Sequence, residues 1–378
     1  MFLKLLKRTL LNQFANIKDR WRIYRRRRHE IKKFEDPRRI KIYETVDLTA
    51  EQKKQIDDLY KTYYGEKIPY TWHRHFTAFT GHFDVNYFPE LLFIPELEYF
   101  MNAKIEYNKV FADKNVLPMI ATHVGVKMPK TVVSSVNGFL KDGNHNIIEK
   151  GLLRQILAKK ENNTYFAKPS VDSCSGQGCF LLHTDNNEDY DKLDRLGNNF
   201  VVQEKLKCSE SVSKLHPYSV NTFRIITYIW KNKVEFCPVI MRIGRHKSHL
   251  DNAHAGGIFI AVNQNGTLHN TAFSEFKEEY KEHPDTHVVF DGYQIKNFDK
   301  VLKAAIKMHS AIPQVGIVHW DFTINDKEDP VLIEANITGG SIWLIQMAWG
   351  CGPFGDNTKE ILQWMREQKK LPIYKRLR

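Results

Sequence analysis

Short strand-forming stretches recur between residues 131 and 337, and turns separate them more often than helices do. Stretches rich in β-branched and aromatic residues are typical of strands, and Asn265-Gly266 is a strong signal for a hairpin turn. The pattern therefore predicts antiparallel hairpins and an α+β fold rather than a doubly wound parallel sheet. The expected strands lie at 131–136, 165–168, 179–183, 200–206, 221–230, 234–243, 257–263, 315–324 and 331–337.

Helical segments flank and interrupt these strands. Thr49 is a suitable helix cap, because its hydroxyl can accept a hydrogen bond from the first turn of the polar residues that follow. The expected helices lie at 49–64, 106–117, 152–160, 298–309 and 357–368.

The basic charge of the chain is concentrated at its two ends. The 378 residues carry a formal net charge of +12, of which residues 1–41 contribute +11 and residues 366–378 contribute +5, so the body between them has −4. With 42% hydrophobic and 26% charged residues, the chain has the composition of a globular protein. No apolar run approaches the roughly 20 residues that cross a bilayer, so an integral membrane protein is not expected.

Residues 3–24 predict a basic amphipathic helix, because apolar residues recur at spacings of three and four with Lys and Arg on the other faces. Such helices commonly lie at an anionic membrane surface, where each basic residue adds about 1 kcal/mol. The stripe could instead pack on the protein's own body or on a partner helix, and Arg25–Arg28 could contact RNA phosphates. Nucleic acid is the least favoured partner, since the body has no basic patch interleaved with aromatic residues. The stripe consists of Leu3, Leu6, Leu10, Phe14, Ile17, Trp21 and Tyr24.

Cysteine usage indicates a reducing compartment. The chain has five cysteines, and no two of them form a C-x-x-C pair, which disfavours a disulfide framework and a zinc ribbon. The first residues also lack the apolar core and the cleavage site of a signal peptide. We therefore expect a cytoplasmic protein, peripheral at the inner face of the cell membrane through residues 1–41.

The loop between the predicted strands 165–168 and 179–183 is a candidate anion-binding loop. Lys168 ends the first strand, and Gly176 and Gly178 lie in the small-residue segment that follows. Glycines let backbone N–H groups approach an anion closely, and the lysine adds a positive charge. The loop is neither a Walker A loop nor a Rossmann fingerprint, because no helix follows the glycines. A tight turn without a ligand explains these residues equally well.

Asp321, Glu334 and Asn336 form a second candidate site. Asp321 lies inside an apolar predicted strand, and Glu334 and Asn336 lie two residues apart on the next strand, so that they share one face. Two carboxylates and a carboxamide oxygen suit Mg²⁺, with nucleotide phosphates as its remaining ligands. The alternative is that these side chains face solvent, which the apolar flanks disfavour.

The two constellations together resemble the ATP-grasp superfamily, in which a lysine and a glycine-rich hairpin cover the triphosphate and a downstream Asp…Glu-x-Asn set binds magnesium. Lys109 then looks like the second nucleotide-binding lysine, and the loop contributes Ser175 and Gln177 to ATP binding. Glu204, Lys205 and Leu206 look like the hinge that meets the adenine, and Glu210 is the expected acceptor for a ribose hydroxyl. The residues that match the superfamily pattern are Lys168, Gly176, Gly178, Asp321, Glu334 and Asn336.

Within the superfamily, the chain looks most like the sugar-transfer-associated ATP-grasp proteins of bacterial surface-polysaccharide clusters, over about residues 100–360. This resemblance implies two gripping α+β subdomains, ATP, and one or two Mg²⁺ ions. Arg224 and Arg242 are the expected catalytic residues, which stabilise the γ-phosphate and the oxyanion, although a structural salt bridge would also explain each of them. Asn252, Gly256 and Gly257 would shape the acceptor pocket. The segments that carry the resemblance are 219–227, 241–244, 251–257 and 283–294.

The implied activity is ATP-dependent carboxylate–amine ligation through an acyl phosphate, joining an amino acid or a similar group to a sugar. The substrates would be carboxylate and amine small molecules or glycans, and a homodimer is common among such ligases. The alternatives are a non-catalytic membrane-peripheral scaffold and an ATP-grasp ligase of unrelated small-molecule metabolism. The expected division is a basic arm at 1–41, a family-variable region at 42–105, an amino-terminal ATP-grasp subdomain at 106–150, a nucleotide-covering subdomain at 151–206, a catalytic and metal-binding subdomain at 207–365 and a basic tail at 366–378.

Overall fold

The strands pair into two antiparallel sheets. The computed structural model describes residues 2–102, 108–158, 163–171 and 176–376, with the backbone alone for residues 2–9, 108, 109 and 374. Within these residues, one sheet has five strands in the order β2-β1-β5-β3-β4. The other has eight, in the order β11-β10-β9-β8-β6-β12-β13, with β7 also paired to β6. The expected α+β class is therefore confirmed.

The five-stranded sheet is covered by two short helices. Apolar residues from its strands pack with Leu157 of α8 and with Tyr190 and Leu193 of α9 in one buried cluster. Its strands are β1 Thr131–Val136, β2 Phe139–Asp142, β3 Thr164–Pro169, β4 Phe180–His183 and β5 Phe200–Glu204, and the two helices are α8 Leu153–Ala158 and α9 Asn187–Arg195.

The eight-stranded sheet carries most of the core. The single strand expected at 234–243 is two strands, because Pro238 has no N–H to donate to a continuous ladder, and both strands pair with β6. The long helix α11 covers one face of the sheet with Phe298, Val301 and Met308. The elements are β6 Thr222–Trp230, β7 Lys233–Phe236, β8 Val239–Ile243, β9 Ile258–Val262, β10 Leu268–Phe273, β11 Glu279–Tyr280, α11 Phe298–Ala311, β12 Ile317–Ile324 and β13 Pro330–Asn336, and a short helix α10 Glu210–Ser213 precedes β6.

A helical layer from both ends of the chain covers the other face of this sheet, with an aromatic-rich core that includes Trp72, Phe76 and Phe93. None of the helices in the described parts of the chain combines the length and the apolar character needed to cross a bilayer. The helices of this layer are α1 Phe2–Lys33, α2 Pro37–Tyr43, α3 Ala50–Leu59, α4 Thr71–Thr80, α5 Glu90–Leu92, α6 Tyr99–Asn102, α12 Trp343–Trp349, α13 Thr358–Lys370 and α14 Ile373–Arg376, with π-helical turns at Tyr60–Tyr64 and Phe93–Glu98.

The helix expected at 49–64 is confirmed, with Thr49 in a reciprocal capping box with Gln52. The helix expected at 106–117 is wrong in its described part. A 3₁₀ turn occupies Asn108–Ala112, the Asp113 side chain closes a turn on the backbone N–H of Asn115, and the helix α7 Leu117–His123 begins one residue before Pro118. Proline suits the first turn of a helix because it has no N–H to lose there.

Candidate nucleotide and metal site

A cavity of about 1360 Å³ lies where strands of the two sheets face each other. The five-stranded sheet contributes Lys168 and Glu204 to its wall, and the eight-stranded sheet contributes Arg242, Asp321 and Glu334. The cavity therefore brings Lys168 together with Asp321 and Glu334, whereas Lys114, Arg224 and Asn336 lie beside these residues and outside the cavity wall.

Lys168 lies at the end of β3 with only 4% of its surface exposed. Burial, together with repulsion from Lys114, lowers the pKa of Lys168 to about 8, while Glu334 partly opposes this shift. Lys114 is equally buried, and its Nζ lies 3.7 Å from Glu334 Oε2. Burial deprives both lysines of the hydrogen bonds that water gives an exposed lysine, and a bound anion would supply them. The two lysines are therefore suited to binding an anion.

The loop after β3 is described from Gly176 onward, so Ser175 lies outside the described residues. Gly176 and Gly178 both have positive φ angles, of 78° and 74°, which glycine adopts without strain. Gly176 lines the cavity, and a Cβ there would lie 2.9 Å from the side chain of Leu250. Gln177 and Gly178 are exposed at the rim. The loop thus presents backbone rather than bulky side chains to the cavity.

The segment after β5 lines another part of the wall. Glu204, Lys205 and Leu206 all border the cavity, and the backbone N–H of Glu204 donates to Lys130 O at 2.9 Å. Glu210 does not border the cavity, because it lies on α10 with its carboxylate 2.6 Å from Lys214 Nζ and largely exposed. The structure therefore gives no geometric support to the expected ribose contact of Glu210.

Asp321 lies at the centre of an arginine cluster. Arg224 stands opposite it on β6, with Nε 2.6 Å from Oδ1 and Nη2 3.0 Å from Oδ2. Arg242 Nη2 lies 3.0 Å from the same Oδ2. Burial alone would raise the pKa of Asp321, but the two guanidinium groups outweigh it and hold that pKa far below its ordinary range. Asp321 is therefore a permanent anion at neutral pH.

A β-bulge brings Glu334 beside Asp321. The pairing of β12 with β13 shifts between Asp321 and Phe322, so that Ile333 is left out of the ladder and Glu334 stands opposite Asp321. If the regular register continued past Phe322 and Leu332, Ile333 would pair with Asp321, and Glu334 would pair with Trp320 on the other side of the sheet. Bulges of this kind commonly re-aim side chains at functional sites.

Asn336 completes the set, with Nδ2 3.3 Å from Glu334 Oε1 and 3.5 Å from Asp321 Oδ2. Two carboxylates and a carboxamide are the oxygen donors that Mg²⁺ prefers, so this donor set fits the ion. Among the described residues, no three His, Cys, Asp or Glu side chains converge in a way that could hold a metal ion. Mg²⁺ has six ligands, so three protein oxygens would leave positions for water or phosphate oxygens.

Arg242 links this cluster to the next loop. Its Nη1 donates to Asn252 Oδ1 at 3.0 Å, and its Nη2 donates to Thr222 Oγ1 at 2.7 Å. Burial alone would lower the pKa of Arg242. The negative charges of Asp251 and Asp321 have the larger effect, and they raise the pKa of Arg242. Asn252 borders the cavity. Arg242 therefore holds Asn252 and Asp321 in one hydrogen-bonded network.

Gly256 and Gly257 do not border the cavity. Gly256 has a φ of 92°, and a Cβ on Gly257 would lie 2.4 Å from Asp251 O. These two glycines therefore permit the tight turn that positions Asn252, and the structure gives them no direct place in the pocket wall.

Lys114 is the residue that sequence reasoning missed. The family resemblance points to Lys109 instead, whose side chain is not among those described. The signal available in the sequence was the Asp113-Lys114-Asn115 turn directly before an apolar helix, because such a turn directs the lysine to the start of the helix.

Comparisons with known proteins bear on this geometry. The model of the sugar-transfer associated ATP-grasp family matches residues 93–361. No curated protein matches the chain.

Solved structures with similar folds include the VanG D-Ala:D-Ser ligase from Enterococcus faecalis, at 12% identity and a TM-score of 0.41, covering 69% of this chain and 62% of that one. The D-alanine-D-alanine ligase from Helicobacter pylori has 12% identity and a TM-score of 0.39, covering 71% and 61%. The N5-carboxyaminoimidazole synthetase from Staphylococcus aureus, complexed with ADP, has 11% identity and a TM-score of 0.39, covering 62% and 47%. The chain thus spans about half to three fifths of the length of these structures, and the family assignment rests on the sequence model alone.

The match over residues 93–361 establishes that the chain belongs to the sugar-transfer-associated ATP-grasp family of enzymes, as the sequence motifs indicated.

Proposed function

We propose that this protein is an ATP-dependent carboxylate–amine ligase that acts through an acyl phosphate. The observation that carries the proposal is that Lys168, Asp321 and Glu334 line one cavity, with Lys114 Nζ 3.7 Å and Asn336 Nδ2 3.3 Å from the carboxylate of Glu334. Buried cations suit the phosphates of ATP, and the oxygen donors suit the ion that accompanies them.

In the proposed reaction, a carboxylate oxygen of the substrate attacks the γ-phosphorus of ATP, and the bond to ADP breaks. The amine nitrogen of the second substrate then attacks the acyl carbon and loses a proton as inorganic phosphate leaves. Lys114 and Lys168 neutralise the triphosphate, and Arg224 and Arg242 stabilise the charge that develops on the transferred phosphoryl group and on the tetrahedral oxyanion. Asn252, held by Arg242, orients the acceptor.

Mg²⁺ would be held by Asp321, Glu334 and Asn336, one or two ions in all, and would supply charge neutralisation between the β- and γ-phosphates. Arg224 and Arg242 contact both oxygens of Asp321 in the structure, so an ion held here would share that carboxylate with the two guanidinium groups.

The glycan assignment is the finer part of the proposal. We propose that the product is a sugar acid or an amino sugar carrying an amino acid or a similar group, made for surface polysaccharide at the cytoplasmic face of the membrane. Residues 1–41 would bring the enzyme to lipid-linked intermediates there.

The subdomain boundaries and the homodimer stay predictions, and analytical sedimentation of the full chain tests the dimer.

The test is Mg²⁺-dependent ATP binding by calorimetry, followed by ADP release in a screen of amino acids against uronic acids and amino sugars. Glu334→Gln should abolish ADP release with little change in folding, because its carboxylate is partly exposed. Glu360→Gln, at an exposed surface pair with Lys231, is the matched control and should behave as wild type. Asp321→Asn is a poorer test, because it leaves two buried arginines without their counter-ion and costs about 3–5 kcal/mol of stability.

No binding of ATP by the wild type at millimolar concentration would contradict the proposal and would favour the non-catalytic scaffold. ADP release undiminished in Glu334→Gln would instead contradict the metal assignment alone. The intact set of Lys168, Asp321, Glu334 and Asn336 argues against a scaffold, since a degenerate site is expected to lose members of such a set.

A further inference from the structure

The helix α1 turns its charged face toward the protein. Asp19 is buried and lies 2.5 Å from Arg376 of α14, and Arg27 Nε lies 2.6 Å from the buried Glu96 Oε1. Arg22 stacks over the ring of Tyr99. These polar contacts attach α1 to the protein together with the apolar packing of Ile23 and Ile31 against the core.

The apolar stripe of the same helix consequently faces solvent. Its described side chains are between 53% and 76% exposed, so intramolecular packing, one of the expected alternatives, does not occur for them. Leu3 and Leu6 carry side chains that are not described. The exposed members are Leu10, Phe14, Ile17, Trp21 and Tyr24, with Leu11 beside them.

Positive charge borders this stripe on both sides. Lys18 and Arg20 are exposed and lie on opposite flanks of it by helical periodicity. Arg25, also exposed, extends over the ring of Trp21 at 4.6 Å from the ring centroid. An apolar strip between two basic borders complements a lipid leaflet, which offers an apolar interior below a plane of anionic headgroups. Trp21 and Tyr24 are residue types that favour that boundary.

The carboxyl-terminal segment fixes this orientation. The backbone N–H of Ile373 donates to Asn16 Oδ1 at 2.9 Å, one helical turn from the Asp19–Arg376 pair. Both contacts join residues 357 positions apart. The segment Ile373–Arg376 therefore lies against the described part of α1.

We infer that α1 lies flat on an anionic bilayer with the stripe Leu10–Tyr24 inserted, and that the segment Ile373–Arg376 holds the helix in the orientation that exposes this stripe. The inference deepens the membrane part of the proposed function and rests on it, whereas the ligase activity can fail independently, because membrane binding needs no nucleotide.

The test is co-sedimentation of the full chain, without nucleotide, with vesicles of phosphatidylcholine alone or with about one third phosphatidylglycerol, the lipid that supplies the negative surface. Wild type should bind the anionic vesicles and not the neutral ones. Phe14→Ser with Trp21→Ser should weaken that binding at least tenfold. The matched control, Phe139→Ser with Ile147→Ser, removes two exposed apolar side chains from the β1–β2 hairpin region and should bind as wild type.

A second variant tests the role of the carboxyl-terminal segment. Arg376→Gln should weaken vesicle binding severalfold and lower the melting temperature, because the buried carboxylate of Asp19 loses its partner, while circular dichroism still reports a folded body. Lys303→Gln, at an exposed pair on α11, should change nothing. Equal binding to neutral and anionic vesicles, or unchanged binding by the Phe14/Trp21 variant, would overturn the membrane inference. Concentration-dependent association without vesicles, lost in the same variant, would identify a second copy of the chain as the occupant and would also overturn it.

Discussion

Lys114 and Lys168 show how single residues acquire their properties from burial. Each is a lysine that loses most of its contact with water, and each lies near the carboxylate of Glu334. Lys168 was found from the sequence because a glycine loop follows it. Lys114 was not found, because its proximity to the site depends on the backbone of Lys114 bonding to Ser170, across a gap of more than fifty residues.

The two candidate lysines before α7 can be told apart. Lys114→Met should weaken the affinity for Mg·ATP at least tenfold, or about 1.4 kcal/mol, because it removes a buried cation from the site. Lys109→Met is the companion variant, because the family resemblance assigns the same role to Lys109. Calorimetry on both decides between them, and the opposite result would return the role to Lys109.

The lowered pKa of Lys168, about 8, predicts a pH dependence of nucleotide binding. A lysine whose pKa is depressed is charged below that value and neutral above it, so the attraction for phosphate is present at pH 7 and lost as pH rises. The dissociation constant for Mg·ATP should increase about tenfold between about pH 7 and pH 9. Lys168→Arg, which stays charged throughout, should flatten the profile, and a wild-type profile that is already flat would contradict the assignment.

At the scale of elements, the β12–β13 hairpin carries the proposed metal ligands, and the loop after it adjoins them. The bulge at Ile333 sets which side of the sheet Glu334 faces. The following loop is held by two buried carboxylates of the helical layer: Glu98 accepts from the N–H groups of Gly339 and Gly340, and Glu90 accepts from that of Ile342. The region expected to be family-variable thus supports the strand that carries Asn336.

Burial raises the pKa of Glu98 to about 8 and that of Glu90 to about 7, so both carboxyls bind a proton more readily in the folded state. A carboxyl with a raised pKa contributes stability that falls as pH rises from the unfolded value toward the folded one. The melting temperature should therefore decrease between about pH 5 and pH 8, and Glu98→Gln should reduce that decrease. Glu360→Gln, with an exposed carboxylate, should leave the slope unchanged, whereas a slope equal to wild type in Glu98→Gln would contradict the prediction.

At the scale of the whole molecule, the cavity joins two sheets that have separate cores. A ligand that contacts both sheets stabilises both cores together. Mg·ATP at about a hundred times its dissociation constant should raise the free energy of unfolding by about 2.7 kcal/mol. Thermal denaturation measures this, and the increase should require Mg²⁺ and should be smaller for Glu334→Gln. The same increase with ATP alone would argue against the metal set.

Much of this molecule could be predicted from local sequence. The α+β class, the strands and the Thr49 cap follow from residue preferences over a few positions, which neighbouring residues alone determine. The predictions that failed were those in which one residue interrupted the pattern of a strand or helix, or in which a residue type alone suggested a role. Pro238 divides one expected strand into β7 and β8, and the Asp113 turn ends one expected helix before it forms. Glu210 has the residue type of a ribose ligand, but its exposed carboxylate pairs with Lys214 and does not border the cavity.

The sequence by itself determined the family, the glycine loop with Lys168, the Asp321, Glu334 and Asn336 set, and the apolar stripe of α1, because each of these is a pattern of residue types at short spacing. Only the tertiary structure decided how they are used. It placed Asp321 between Arg224 and Arg242 and brought Lys114 to Glu334, and the pair of Asp19 with Arg376 turned the stripe outward. These are contacts between residues distant in the chain, and their free energy depends on burial and charge in the folded molecule, which no short segment contains.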